Sequence, residues 1–546
     1  MFRKNDTHNV QSLFSPEREL PEKLKNRLDK NWSTIFYREI FVNIKEENFS
    51  GLYFNNNGRP NVPINILAGL EILKELFQHT DEVAYERFLY DLTFQRALGV
   101  EFIEDAYFSI RSLYHFRGRL AEYELQGNPN PMEDVFKSGR DKIISDLGLK
   151  TGLQRVDSVM IGANIKRMNR LMLFHKVLSN LVILLLRYEK AVEKEVQDMI
   201  KEDEDSIAYR LPTEEVQSTT RRIAEKIYTL LNQYKNDDEI ISTDAYKNAV
   251  RLLDEQCNID HNNKNPQIRL KPPVEISSGS LQNPADPDAT YRKKNGKEFW
   301  GYSAHASETC DKDNPCQVIT SVDLVKNNVD DAVVLKNHIA ELKEETNLET
   351  MISDGAFHSP DNSVELEINN VHLITTAIRG KKTQKPDILD SKDFTFEDSG
   401  LIHSCPQNHR PVKQTLDKEK NLKASFDRRK CAACPVNSRC IAYLSEKQSR
   451  VVIDANRRWL DKNRRAVLQE EFLEKCRMRP AVEGLMDKIK PKYLHGRTLF
   501  RGIGRVKNRL ILRACAINFK RYADHSLELF KKFLDMLLFF PTAANS

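Results

Sequence analysis

Apolar residues at Ile64, Ile66, Leu67, Leu70, Ile72, Leu73 and Leu76 recur three or four positions apart just after Pro63. That period predicts a helix over residues 61–76. Two more amphipathic stretches, 83–98 and 106–120, make residues 1–130 a helical N-terminal domain. The second carries Arg111, Arg117 and Arg119, an arrangement suited to DNA binding and equally to an ordinary bundle. Near residue 150 the pattern changes. Residues 152–161, centred on Val156-Asp157-Ser158-Val159, are short, apolar and β-branched, and predict a strand.

A Glu/Lys-rich helical block, a predicted hairpin, fills 171–253, and Pro284, Asp286, Pro287 and Asp288 then break the chain. Strand signals follow at 298–307, 317–324, 350–353 and 371–378, with a helical pattern at 331–342. A strand meander passing into strand–helix alternation indicates a mixed α/β sheet. Residues 380–450 read as irregular and basic, and the chain is helical again after Arg457.

Composition sharpens this picture at one end. The net charge of the 546 residues is only +5, yet residues 451–525 hold 19 Lys and Arg against 8 Asp and Glu. Between Pro491 and Ala523 there are nine Lys and Arg and no acid, which points to a polyanion partner. The first residues lack the apolar core of a signal peptide, and the run from Leu181 to Leu186 is too short to span a bilayer. A cytoplasmic location and no membrane partner are therefore expected. Nine cysteines do not form a secreted disulfide pattern. Four of them, Cys405, Cys431, Cys434 and Cys440, have the bite of one tetrahedral structural zinc, with His403 and His409 as alternative donors.

Three acids stand out by position. Asp157 lies in an apolar strand, and Asp354 follows another, before Gly355. Glu483 shares helical spacing with Cys476, Arg479 and Lys490, with a helix restart or kink expected at Pro480. Each has a bland reading as well: a strand-end Asp, a turn-forming Asp-Gly and an exposed i,i+4 ion pair.

The spacing Arg479-x3-Glu483-x6-Lys490 resembles the signature of bacterial insertion-sequence DDE transposases, Tyr-x2-Arg-x3-Glu-x6-Lys, with Cys476 at the Tyr position. The segments around Asp157 and 352–362 are similar to the first-Asp and second-Asp segments of that family. Asp286-Pro287-Asp288 followed by Gly301-Tyr302 is similar to the stretch before its second strand, and the cysteine cluster resembles the insertion sequence 1182 group.

The resemblance implies an RNase-H-like mixed sheet core at 150–170 and 280–380. Around it stand a helical N-terminal DNA-binding domain, a helical insertion at 171–260 and a small zinc-binding cysteine insertion at 385–450. A helical Glu-bearing end and basic tail at 455–546 complete the chain. It implies Asp157, Asp354 and Glu483 as catalytic ligands of two Mg2+ ions, Mn2+ being able to substitute. Arg479, Lys490, Arg497, Arg501, Arg505, Lys507 and Arg509 become DNA-binding residues. The implied activity is cleavage and strand transfer of an insertion sequence. Its partners are double-stranded DNA, as terminal repeats and target, and a second copy in a synaptic homodimer, placing the protein at the nucleoid. Three other readings stay open: an inactive transposase-derived DNA-binding protein, a non-transposing nuclease on the same core, and a zinc-dependent structural or regulatory DNA-binding protein in which the acids are incidental.

Overall fold

The computed structural model describes residues 1–9, 16–53, 60–260, 267–294, 296–375, 389–397, 399–418, 421–445, 448–454, 457–458, 470–491 and 496–539. The end of the strand predicted at 371–378 lies outside them, as does part of the basic tail.

In the N-terminal region the predicted stripe forms α1 (Ile64–Phe77), which Gln78 ends in the left-handed conformation. The stretch expected at 83–98 is two helices, Asp81–Tyr90 and Leu92–Ala97, because the Asp91 side chain accepts from Thr93 N and starts a new one. Then come α2 (Arg111–Leu125) and α3 (Pro131–Leu147), the latter capped by Asn130 and ended by Gly148.

The main sheet contains β1 (Leu153–Gly162), β2 (Thr290–Lys294), β3 (Lys297–Thr309), β4 (Ile319–Lys326), β5 (Thr350–Ser353) and β6 (His372–Thr375). β1 runs antiparallel to β3 and parallel to β5, β5 runs parallel to β6, and β2 and β4 pair successive parts of β3. The sheet is thus mixed, as the strand pattern predicted. Between β1 and β2 the chain forms a bundle with its own apolar core, including Phe174, Leu178, Ile223, Ile227 and Leu252. The hairpin expected there gives way to shorter helices, since Asp203, Asp237 and Thr243 each cap a new helix start.

Helix α4 (Asp331–Thr346) covers one face of the sheet, where Val156, Leu335, Ile339, Met351 and Leu373 form a core. The other face is covered by α5 (Ala481–Ile489) and α6 (Ile503–Phe539). That second core joins Ile161, Ala304 and Ala306 of the sheet, Leu485 and Ile511 of the covering helices, and Phe36 and Leu70 of the N-terminal region. The Phe36 and Phe519 rings meet edge-on at 5.0 Å. The N-terminal helices are therefore packed into the body of the molecule. Asp286 and Asp288 cap the start of α6, accepting from Gly502 N (3.2 Å) and Ile503 N (3.1 Å), while Tyr302 Oη donates to Asp286 at 2.5 Å. Burial pushes the Asp286 carboxyl up.

Residues expected to be irregular instead form a small β unit. Lys413–Leu416, Leu422–Phe426, Tyr443–Leu444 and Ser449–Ile453 make a four-stranded sheet around Phe394, Ile402, Leu422, Phe426, Val451 and Ile453. Alternation in strands of two to five residues is too brief to rise above the surrounding charge.

Gly301 sets where β1 ends. Its φ is +143°, and a Cβ there would stand 2.2 Å from Ile161 O and 2.6 Å from Ala163 N. Gly301→Ala is expected to destabilise the chain by at least about 1–3 kcal/mol, since the neighbouring atoms are backbone and cannot give way. Urea unfolding reads this directly, and an unchanged midpoint contradicts it.

Candidate active site

The parallel pairing of β1 with β5 aligns Arg155 with Ile352. Two residues further along both chains come Asp157 and Asp354, so the two acids share one edge of the sheet. Asp157 is mostly buried and its amide neighbour Ser158 donates to Oδ1 at 2.8 Å. Burial pushes the Asp157 carboxyl above its ordinary range; Ser158 N–H and Arg479 oppose that, and the charges of Asp354 and Asp331 add to it. Asp354 caps the short turn Gly355–Phe357, its Oδ1 accepting from Ala356 N at 2.8 Å.

The third acid arrives from the other end of the chain. Helix Glu470–Met478 stops, Arg479 and Pro480 turn, and α5 restarts at Ala481, so the break predicted at Pro480 is present. α5 packs on β1 through Val482 and Leu485 and leaves Glu483 exposed, with 68% of its side chain accessible. Arg479 joins the two sides: Nη2 lies 3.1 Å from Asp157 Oδ2 and Nη1 3.6 Å from Glu483 Oε1. Arg479 thus links Asp157 to Glu483, and the charge of Asp354 is felt at Asp157.

Among the described residues no three His, Cys, Asp or Glu side chains are arranged as a metal site. Two of the three carboxylates face the Arg479 guanidinium instead. Asp157 and Glu483 nonetheless present hard oxygens on two sides of a cation, the donor type magnesium takes.

Two buried residues supporting this corner escaped the sequence reading. Glu308 is fully buried; its Oε1 lies 2.6 Å from Arg155 Nη2, and its Oε2 lies 2.8 Å from Arg521 Nη2. Arg155 Nη1 then donates to Met478 O at 2.7 Å, directly before Arg479. Asp331 is 2% exposed and its Oδ1 lies 3.6 Å from His305 Nε2. The pairings of Arg155 with Glu308 and Met478 span 153 and 323 positions and leave no local pattern to read.

The basic residues divide into two groups. Lys490, Arg497, Arg501 and Arg505 are exposed, and Arg501 Nε donates to Asn164 O near the end of β1. Lys507 and Arg509 are engaged within the chain: Lys507 with Glu133 (2.7 Å) and Glu124 (3.1 Å), Arg509 with Glu75 (3.1 Å). Their charges are neutralised by the N-terminal helices. Arg117 is likewise held by Glu71 (2.6 Å) and Asp81 (2.7 Å), and against the push of burial Arg117 and Lys74 hold the Asp81 carboxyl down at about 2. Arg111 is exposed, and Arg119 lies 4.7 Å over the Tyr53 ring.

Cys405, Cys431, Cys434 and Cys440 line one cavity together with His409. Asn408 adopts φ +61°, folding the chain back so that His409 N donates to Cys405 Sγ at 3.3 Å. Burial pushes the Cys440 thiol up, and the three other cysteines add to the effect.

Residues 404–523 match a family model described as transposase DDE domain, and residues 22–119 match one described as transposase domain (DUF772). Both matches indicate a transposase. They support the insertion-sequence DDE type. The DDE-domain match contains the four clustered cysteines, Arg479, Glu483 and Lys490, while Asp157 and Asp354 precede it. No curated protein and no solved structure matches the chain. Among the described residues no helix is long and apolar enough to cross a membrane.

Proposed function

We propose that this chain cuts and joins DNA as a DDE transposase of the Tyr-Arg-Glu-Lys signature type, insertion sequence 1182 group, on an RNase-H-like core. Asp157, Asp354 and Glu483 are its metal-binding carboxylates. The observation that carries this is the Arg479 bridge, which ties a strand acid to a helical acid 326 residues away, beside a second strand acid. Magnesium, or manganese in its place, would activate the attacking water or 3′-hydroxyl and take up charge on the leaving oxygen. Arg479 orients Asp157 and Glu483 and offers its guanidinium to the scissile strand. Lys490, Arg497, Arg501 and Arg505 neutralise backbone phosphates, giving affinity and register. Lys507 and Arg509 support that surface by holding α6 against the N-terminal helices.

The deciding experiment is a nicking and strand-joining assay on the element's own terminal-repeat DNA. Metal-dependent nicks followed by joining of the 3′ end to a target support the proposal. Nicks without joining favour a nuclease, and binding without nicks an inactive DNA-binding derivative. Light scattering of the DNA-bound chain tests the homodimeric synapse.

A structural zinc on Cys405, Cys431, Cys434 and Cys440 belongs to the same reading. It is supported by the thiol donor set around one cavity and by the N–H···S turn at His409. Protein purified without chelator is expected to carry about one zinc per chain, and Cys431→Ser with Cys434→Ser to lose it. Metal analysis finding none in the native chain removes the zinc assignment.

A further inference from the structure

β3 is longer than its neighbours. Its pairing with β1 ends at Gly162↔Gly301, and its pairing with β4 ends at Tyr302↔Lys326. Beyond that line, Lys297–Trp300 pair only with β2, in the register Tyr291↔Trp300 to Lys294↔Lys297. An isolated two-stranded hairpin is marginal in water, so the overhang has to be held at its base. Contacts at the base do so. Ala163 N donates to Trp300 O at 2.9 Å, the Tyr291 and Trp300 rings pack at 5.3 Å, and Arg292 Nη1 donates to Asn327 O (2.9 Å) and Val329 O (3.1 Å). Glycine at 301 permits the close crossing from which the ribbon departs.

The charge on this ribbon is one-sided. Lys293 and Lys297 are exposed and Lys294 is partly so, and none of the three forms an ion pair among the described residues. The one carboxylate, Glu298, accepts from Tyr291 Oη at 2.9 Å. Arg167, also exposed, lies 4.1 Å over the Trp300 ring and adds a cation at the base. Exposed Arg497 and Arg501 flank the end of β1, through Thr498 N to Gly162 O and Arg501 Nε to Asn164 O. A line of cations therefore runs from the candidate acids past the end of β1 to the ribbon. Along β3, from Ala306 opposite Asp157 to Lys297 is nine strand residues, roughly 30 Å and nearly one turn of B-form DNA.

We infer that the β2–β3 ribbon is a second DNA-binding element, which grips the duplex backbone nearly one turn from the reacting phosphate through Lys293, Lys294 and Lys297. A two-stranded ribbon has the dimensions to enter the major groove, and lysine ammonium groups supply sequence-independent phosphate contacts. The inference rests on the DNA-acting reading above and names a surface that reading does not require.

The test uses the full chain and a fluorescent mixed-sequence duplex, without divalent metal, over a range of salt. K293Q/K294Q/K297Q is expected to reduce the log–log salt slope by about 2–3, and affinity near 0.1 M salt by about tenfold or more. K293R/K294R/K297R keeps the charge and is expected to bind like the native chain. K194Q/K235Q/K247Q removes three exposed lysines from the helical bundle and is expected to change neither quantity. A native slope and affinity in the glutamine ribbon variant overturns the inference. So does an equal loss in the bundle variant, or in the arginine variant. Nicking by the native chain is scored separately, so that a ribbon that binds in a chain that never cuts DNA counts against the catalytic reading alone.

Discussion

Asp157→Asn, Asp354→Asn and Glu483→Gln are each expected to lower strand cleavage at least about 1,000-fold while leaving duplex affinity within about twofold. The amides keep the shape of the carboxylates. Asn at 157 can still accept from Ser158 N through Oδ1, though its Nδ2 cannot accept from Arg479, and Asn at 354 can still accept from Ala356 N. What each variant loses is one negative charge, which two divalent cations in a common site cannot spare. Binding survives because the exposed Lys490, Arg497, Arg501 and Arg505 are untouched. Cleavage and affinity are measured on the same terminal-repeat duplex. Native cleavage by any one of the three variants refutes its place in the site.

Glu308→Ala is expected to cost about 3–5 kcal/mol of stability, because it strands two cations that its carboxylate neutralises in the interior. Glu308 has no exposed surface, and Arg155 and Arg521 approach its two oxygens at 2.6 and 2.8 Å from β1 and α6. The effect reaches further than stability. Arg155 also donates to Met478 O, and loss of the Glu308 carboxylate loosens its guanidinium beside the turn that carries Arg479. Cleavage is therefore expected to fall by more than loss of folded protein explains. Urea unfolding reads the first effect, and turnover per folded molecule well below the transition reads the second. A native unfolding midpoint contradicts the role assigned to Glu308.

The elements that were legible in the sequence are those whose pattern is local. The stripe after Pro63, the apolar β-branched run around Asp157 and the strand at Thr350–Ser353 all carry their period within one element. The restart at Pro480 follows from proline's missing N–H. Short strands in a charged segment did not declare themselves, and the sheet around Leu422–Phe426 was missed for that reason. Nor could periodicity tell one long helical block from several capped helices between β1 and β2.

The spacing of Arg479, Glu483 and Lys490 singled out Glu483 as a candidate acid through its resemblance to a family signature, and the run without carboxylates from Pro491 to Ala523 announced a basic surface. Charge counting could not say which of those cations face outward. That was decided by packing: Glu75, Glu124 and Glu133, far earlier in the chain, meet Arg509 and Lys507 on α6 and neutralise them, while Arg497 and Arg501 remain exposed beside β1. Sequence by itself determined which residues are chemically capable, because side-chain type and local period are properties of short segments. Only the tertiary structure decided which of them share a site, because strand pairing and helix docking bring together groups whose separation along the chain leaves no local trace.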